Sequence, residues 1–195
     1  MNQIITERQI EIMEASGKVL MAKGITGLTT KNLAKEMGFS ESALYRHFKD
    51  KEGIVTLLIQ YLAENINTRF EEIQISRLNE EEKYLLLFKN QFKFFKKNPH
   101  FIVIVLSDCL IDSSETIKLN IEKLMQGNAK ALHKLITDGQ KANIFNSTIH
   151  VDYLVHYIMG AFRLQMLKWK MNNFSSDIEK IGMKTMTNLL LLIKN

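Results

Sequence analysis

The fold is decided by Thr29-Thr30-Lys31-Asn32-Leu33-Ala34-Lys35-Glu36-Met37-Gly38-Phe39-Ser40-Glu41-Ser42-Ala43-Leu44-Tyr45-Arg46-His47-Phe48. Its first half predicts a short helix over 31–37, with Thr30 as the N-cap, because threonine side chains accept from the free N–H groups of a first turn. Gly38 predicts the end of that helix, since glycine adopts the left-handed conformation without penalty. Ser40 predicts the start of a second short helix over 41–47.

Two short helices joined by a tight turn are typical of a helix-turn-helix. Small Ala34 lies where the two helices would cross. Three apolar residues would fill the wedge between them: Leu33, Phe39 and Leu44. The second helix would expose short or polar side chains, which suit the major groove of DNA. The same spacing also occurs in ordinary helical bundles, so the spacing alone leaves DNA binding open.

The flanking sequence predicts further helices. Thr6-x-x-Gln9 has the form of a capping box, and Gly24 predicts the end of the helix that follows it. Asp50 predicts the start of a fourth helix. The remaining helices are expected at about 51–74, 80–97, 99–110, 114–138, 150–172 and 176–194.

The composition favours an all-α fold. The 195 residues include only 9 glycines and one proline, whereas sheet proteins need these residues at frequent turns. Cys109 is the only cysteine and falls in an apolar run, so it is expected to be buried and forms no internal disulfide. No apolar run approaches the ~20 residues of a membrane span, and the first residues do not resemble a signal peptide. We therefore expect a cytoplasmic protein without a membrane partner.

The charge is consistent with an anionic partner but does not identify one. The formal net charge is +5, and from Lys23 to Lys51 six basic residues face three acidic ones. The excess is modest, so a DNA-binding assignment needs the motif as well.

The motif Thr-Thr-x-x-Leu-Ala-x-x-x-Gly-Phe-Ser-x-Ser-x-Leu-Tyr-x-His-Phe-x-x-Lys-Glu, from Thr29 to Glu52, strongly resembles the N-terminal domain of TetR/AcrR-family transcriptional regulators. The resemblance is close over about residues 6–56. It implies a three-helix DNA-binding domain over 1–50, with the helix-turn-helix at about 29–48. A helical effector-binding and dimerisation domain would follow over 51–195, giving about nine helices in all.

The resemblance implies a role for each residue of the motif. Phosphate contacts would come from Thr30, Lys31, Ser40, Tyr45, His47 and Lys51. Base edges would be faced by Glu41, Ser42, Ala43 and Arg46. Arg46 is the best candidate for guanine, because a guanidinium bonds O6 and N7 together.

The resemblance further implies a homodimer on a palindromic operator and a small-molecule effector. The expected interface residues, on the last two helices, are Val155, Met159, Phe162, Met166, Ile181, Thr185 and Leu189. Gly160 and Gly182 would allow close approach of these helices. The expected effector-binding residues are Tyr84, Phe88, Phe92, Phe95, Phe101, Met125 and Met159. Ordinary core packing is the alternative reading for each of these residues.

No catalytic, metal-binding or cofactor-binding motif is expected from the sequence. None of the five histidines lies three or four residues from another, which excludes the usual metal-ligand spacing on a helix. Together with this absence, the resemblance to TetR/AcrR-family regulators implies a non-enzymatic, ligand-responsive repressor. Two alternatives stay open: a helical enzyme or lipid-binding protein, and a DNA-bound regulator whose partner is another protein.

Overall fold

The computed structural model describes residues 6–46, 48 and 50–195, apart from the side chains of Tyr45 and Ser113. Within this part of the chain there are ten helices and no strand, which confirms the all-α prediction. The helices are α1 (Glu7–Gly27), α2 (Thr30–Met37), α3 (Glu41–Tyr45), α4 (Lys51–Gln74), α5 (Glu80–Lys97), α6 (His100–Val105), α7 (Asp108–Ser113), α8 (Glu115–Lys141), α9 (Val151–Met171) and α10 (Ile178–Ile193).

Most predicted helix starts are confirmed by their capping bonds. The Thr6 hydroxyl accepts from the Gln9 N–H, and the Gln9 side chain accepts from the Thr6 N–H, which completes the capping box. Ser40 accepts from Ala43 N at 3.3 Å at the start of α3. Asp50 accepts from Gly53 N at 2.9 Å at the start of α4.

Two predictions at the ends of α1 and α2 are wrong. The N-cap of α2 is Thr29, whose side chain accepts from Asn32 N at 3.2 Å, so Thr30 is the first helical residue. Gly24 has a φ of 65° but a ψ of −169°, which is not the left-handed helical conformation. It therefore produces a kink, and one more helical turn carries α1 to Gly27.

The prediction of a single helix over 99–110 is also wrong. The chain forms α6 and α7, separated at Ser107, whose side chain caps α7 by accepting from Leu110 N. This break raises the count from the expected nine helices to ten. Because the periodicity of α6 does not continue through the break, Cys109 is exposed rather than buried. The last residue of α3 is Tyr45, and the predicted end at His47 lies outside the described residues.

The helices form two compact units. Unit 1 contains the described residues up to Leu62 together with Asn98–Glu122, and unit 2 contains Ala63–Lys97 with Lys123–Asn195. Each unit thus joins two separate segments of sequence, whereas the expected boundary after residue 50 divides the chain once. Each has its own buried apolar core.

Candidate DNA-binding surface

The helix-turn-helix rests on a small buried base in unit 1. Leu33 and Ala34 on α2 and Leu44 on α3 are each at most 3% exposed. Gly38 has a φ of 67°, and its N–H donates to the carbonyls of Ala34 and Lys35, which ends α2. Phe39 is only half-buried, with the Arg8 guanidinium 4.6 Å from its ring centre. The predicted wedge is therefore formed by the two leucines, with Phe39 at its edge.

The outer side of α3 presents polar groups to solvent. Glu41, Ser42 and Arg46 are exposed, and Ala43 is half-buried. The hydroxyls of Ser40 and Ser42 lie 2.9 Å apart, so the capping residue also holds its neighbour. The structure thus brings the four predicted base-facing residues together at one short helix. The side chain of Tyr45 and all of His47, both predicted to contact phosphate, lie outside the described residues.

Glu41 is also held from α2. The Thr30 hydroxyl donates to Glu41 Oε2 at 3.3 Å, which links the first residues of the two helices. Lys31, beside Thr30, is exposed. The hydroxyl that the resemblance assigns to phosphate therefore has a partner inside the protein.

Lys51 occupies a structural position that the sequence did not indicate. Its ammonium group donates to the Ile25 carbonyl at 2.7 Å, and its side chain is half-buried. The bond joins the start of α4 to the last turn of α1. Lys51 therefore has a structural role besides the phosphate contact that the resemblance implies.

Asn32 was missed by the sequence analysis. Its Nδ2 donates to the Gly27 carbonyl at 2.8 Å, and its Oδ1 accepts from Lys23 Nζ at 2.9 Å. These bonds hold the first turn of α2 against the end of α1. The sequence did hold a signal for this role: the Asn32 side-chain amide can both donate and accept, which suits a residue that links two helices.

His100 is a histidine of unit 1 whose pKa is lowered by its packing against α1. A Cβ built on Gly17 of α1 would lie 3.0 Å from His100 Nδ1, so glycine is what allows the ring to approach. The ring centres of His100 and Phe101 are 4.3 Å apart. Burial lowers the pKa of His100 to about 4, because desolvation disfavours the charged imidazolium.

Unit 2 contains an aromatic cluster that runs along α5. Tyr84, Phe88, Phe92 and Phe95 are each at most 4% exposed. The Phe162 ring of α9 lies 5.3 Å from that of Phe92 and 5.7 Å from that of Phe88. These predicted effector-binding residues therefore pack against one another and against α9 in the described structure.

The Tyr84 hydroxyl completes this core. It donates to the Met186 carbonyl of α10 at 3.2 Å, which satisfies a polar group that is fully buried. Burial raises the pKa of Tyr84 above its usual range. A Cβ on Gly182 would lie 2.5 Å from the Phe92 ring, so the expected close approach at Gly182 occurs between α10 and α5.

The other predicted effector-binding residues lie apart from this cluster. Phe101 belongs to unit 1, where its ring centre is 6.0 Å from that of Tyr61. Met125 is exposed. Met159 lines an open groove of about 480 Å³ in unit 2, together with Ala129, Lys130, His133, Asp152, Val155 and His156.

The predicted interface residues divide between the two sides of their helices. Val155 and Met166 are 6% and 1% exposed, Phe162 packs on α5, and Met159 is half-buried. This stripe of α9 faces its own unit: Val155 and Met166 are buried there, and Phe162 packs on the α5 aromatics. On α10, Ile181 is exposed, while Thr185 and Leu189 are half-buried.

A different stripe of α9 faces solvent. We call it the outer row, and it consists of Tyr153, Tyr157, Gly160, Leu164, Leu167 and Met171. The spacing of three and four residues places them on one face of the helix. The exposure of Met171 reaches 75%. On α10, Ile181 and Leu192 are exposed and lie eleven residues apart, so both helices carry uncovered apolar side chains.

Metal-ligating clusters and membrane-spanning helices are both absent from the described residues. No group of three or more His, Cys, Asp or Glu side chains there is arranged to hold a metal ion. Among the described helices, none has both the length and the hydropathy to cross a bilayer.

Two family models match the chain. Residues 12–58 match the model of bacterial regulatory proteins of the tetR family. Residues 58–193, more than half of the chain, match the C-terminal region of YsiA-like proteins. The chain belongs to the TetR family. Its fold is that of a TetR-family DNA-binding transcriptional regulator, and this confirms the resemblance seen in the motif.

Curated relatives and solved structures agree with this family. The TetR-family chain is 28% identical over 160 residues to the nucleoid occlusion factor SlmA of Aliivibrio fischeri, covering 80% of this chain and 82% of that protein. SlmA of Vibrio cholerae is 28% identical over 138 residues, covering 70% of each chain.

Two solved regulators have the same fold. The transcriptional regulator FadR from Bacillus subtilis, in complex with stearoyl-CoA, has a TM-score of 0.80 at 21% identity and covers 93% of this chain and 97% of its own. The fatty acid degradation regulator FadR from Bacillus halodurans has a TM-score of 0.85 at 18% identity, with coverage of 96% and 97%.

Proposed function

We propose that this TetR-family regulator is a homodimeric repressor that binds a palindromic operator and is released by a small apolar or amphipathic effector. The observation that carries the proposal is the outer side of α3, where Glu41, Ser42 and Arg46 are exposed on a buried base. Phosphate contacts fix the register of a protein on a duplex, whereas contacts to base edges carry the sequence information.

The proposed contacts follow this division. Arg46 would contact guanine, and Glu41 would accept from a base amino group. Lys31, Ser40 and Lys51, with Tyr45 and His47, would contact phosphate, and Lys51 would keep its bond to Ile25. The division into a DNA-binding domain over 1–50 and an effector and dimerisation domain over 51–195 is part of this proposal.

Selection of bound sequences from a random duplex pool tests the DNA-binding part. We expect a palindrome whose half-site centres lie about one helical turn apart, roughly 34–36 Å. Affinity for the selected duplex should fall log-linearly as salt rises. Recovery of no preferred sequence at low salt would contradict the proposal.

The outer row supports the homodimer. Exposed apolar side chains lie along α9 in the outer row and on α10 at Ile181 and Leu192, and grouped exposed apolar side chains mark interaction sites. The inward-facing residues of the predicted interface, Val155 and Met166, would support the row from beneath. Ile181, Thr185 and Leu189 would contribute from α10.

A charge introduced into the outer row tests this interface. Leu164→Lys should convert the dimer to monomer at micromolar concentration, because an unpaired ammonium would be buried in the interface. Ile75→Lys is the matched control, since Ile75 is 86% exposed and lies in the turn directly after α4, away from α9 in sequence. Sedimentation velocity of both variants decides the point, and a Leu164→Lys protein that stays dimeric contradicts the proposed face.

The groove between α8 and α9 supports an amphipathic effector. Val155 and Met159 provide an apolar floor, and Lys130, His133 and His156 lie around it. The stearoyl-CoA in the Bacillus subtilis FadR complex is a molecule of that chemical class. The aromatic residues of α5 would have to move apart to admit a ligand, because they fill one another's space.

Titration with stearoyl-CoA tests this part of the proposal. We expect release of the selected duplex at micromolar ligand. Met159→Trp should weaken the release by filling the groove, while Met125→Trp, an exposed control, should not. If stearoyl-CoA and shorter acyl-CoA esters leave the complex unchanged, this effector class is wrong.

The curated relatives favour a second candidate. They are named nucleoid occlusion factors, which is consistent with a DNA-bound regulator whose partner is a protein. In that case acyl-CoA esters would not release the DNA, and crosslinking of the DNA-bound dimer in cells would yield a protein joined through unit 2.

A further inference from the structure

We propose that Thr30 is a positioning residue that holds the Glu41 carboxylate, and that this pair selects a base bearing an amino group, cytosine or adenine, at one position of each half-site. The inference rests on the proposed function, in which the outer side of α3 faces base edges. It assigns Thr30 a role other than the phosphate contact that the family resemblance implies.

The bond between the two side chains is the first support. Thr30 Oγ1 donates to Glu41 Oε2 at 3.3 Å across eleven residues of sequence, so it joins the first residue of α2 to the first residue of α3. The capping of α2 does not need this hydroxyl, because Thr29 accepts from Asn32 N at 3.2 Å. The bond from Thr30 to Glu41 is therefore separate from the capping of α2.

The position of Glu41 is the second support. Glu41 is exposed, and so are Ser42 in the same short helix and Arg46 at its C-cap. An exposed glutamate has several rotatable bonds, and fixing them costs conformational entropy. A bond from Thr30 removes part of that freedom before DNA arrives, and it leaves Oε1 to accept from a base.

The chemistry of the carboxylate determines which bases are accepted. An ionised carboxylate is only an acceptor. In the major groove, cytosine N4 and adenine N6 are donors, whereas guanine O6 and N7 and thymine O4 are acceptors. A fixed Glu41 carboxylate therefore attracts cytosine and adenine through their amino groups, and it repels the acceptor atoms of guanine and thymine. It also repels phosphates, so the same residue lowers affinity for DNA in the wrong register.

Four variants test the inference: Thr30→Val, Thr30→Ser, Glu41→Gln and the double variant Thr30→Val with Glu41→Gln. Each is compared with the wild type by selection from the random duplex pool. The dissociation constant is then measured on the wild-type duplex, on its single-position substitutions and on a random duplex. Circular dichroism and thermal melting confirm that each variant is folded.

We expect Thr30→Val to weaken the preference for cytosine or adenine at one symmetric pair of positions by about three- to tenfold, the size of one ordinary hydrogen bond, because the bond is solvent-exposed. Its affinity for the random duplex should stay within about twofold of the wild type. Glu41→Gln should weaken the preference at the same positions, and the double variant should add no further loss. Thr30→Ser, which keeps the hydroxyl, should behave as the wild type.

A different set of results would overturn the inference. If Thr30→Val lowers affinity for selected and random duplexes alike and leaves the base preferences intact, Thr30 is a phosphate contact. Glu41→Gln is a second test that does not depend on the folding of Thr30→Val. If Glu41→Gln leaves the base preferences unchanged at every position, Glu41 reads no base. A wild-type protein with no preference at all would instead overturn the proposed function.

Discussion

The helix-turn-helix of unit 1 and helix α9 of unit 2 differ in how firmly the sequence determines which side faces inward. In α2 and α3 the apolar residues occupy one face, and polar side chains cover the other. In α9 two faces are apolar: one carries Val155 and Met166, and the other is the outer row. Periodicity identifies a helix in both cases, but it gives the orientation only where a polar face is present.

The largest expected effect tests whether the α5 aromatics form a structural core. Phe92→Ala should lower the free energy of unfolding by about 3–5 kcal/mol, because Phe92 is fully buried and packs against Phe88 and Phe162. Ile75→Ala, at a highly exposed position, should change it by less than about 0.5 kcal/mol. Urea unfolding at a fixed protein concentration measures both. A loss below about 1 kcal/mol for Phe92→Ala would indicate loose packing at this site.

The second-largest expected effect tests how closely α10 packs against α5. Gly182→Ala should cost about 1–3 kcal/mol, because the new methyl group would lie 2.5 Å from the Phe92 ring. Gly127→Ala is the matched control: its nearest neighbour is Asn67 Oδ1 at 3.8 Å, an ordinary contact, and alanine favours a helix. Thermal melting of the two variants compares them. Equal stability would place α10 farther from α5 than described.

The pH dependence of stability tests the packing of His100 in unit 1. The pKa of His100 is lowered to about 4 in the folded protein, so below its ordinary value of 6.5 the unfolded chain binds a proton that the folded protein does not. This contribution to stability is present above pH 6.5 and is lost as the pH falls toward 4. We expect a loss of about 1–2 kcal/mol, allowing for partial exposure of the ring.

His100→Gln isolates this effect from the other titrating groups. The difference in unfolding free energy between wild type and variant should change across pH 6.5 to 4 and be constant above pH 7. Urea titrations at four pH values measure it. A difference that is the same at every pH would show that the folded protein binds the proton as readily as the unfolded chain.

The smallest effect separates the two roles of Lys51. Lys51→Met should cost about 1 kcal/mol of stability, because the half-buried bond to the Ile25 carbonyl is lost. Lys35→Met, at an exposed lysine of α2, should be nearly neutral. Denaturation without DNA measures this cost apart from any phosphate contact. Equal stability of the two variants would leave Lys51 with a DNA-binding role alone.

Local chemical signals explain why much of the fold could be predicted. The bounds of α4 and α5 match the predicted ranges because Asp50 and Asn79 cap their first turns; Asn79 accepts from Glu82 N at 2.9 Å. The break between α6 and α7 was missed because it follows an apolar run without glycine or proline. The end of α2 was predicted, since Gly38 is the residue that its backbone conformation favours.

The candidate site was predictable in composition but not in its internal bonds. The motif identified Glu41, Ser42 and Arg46 as neighbours on one exposed surface. It gave no indication that Thr30 bonds Glu41 or that Lys51 bonds Ile25, because such contacts depend on how helices distant in sequence are placed. Which apolar face of α9 is buried within the unit could not be chosen from the sequence, because both faces have helical spacing.

The claim on which the account depends is that the outer side of α3 reads bases. Binding of Arg46→Ala to the selected duplex and to each single-position substitution of it tests this most directly. We expect discrimination to fall by about 1–3 kcal/mol at one symmetric pair of guanine positions and to be unchanged elsewhere. A uniform loss of affinity on every duplex, with all base preferences retained, would show that Arg46 contacts only the backbone and would contradict the account.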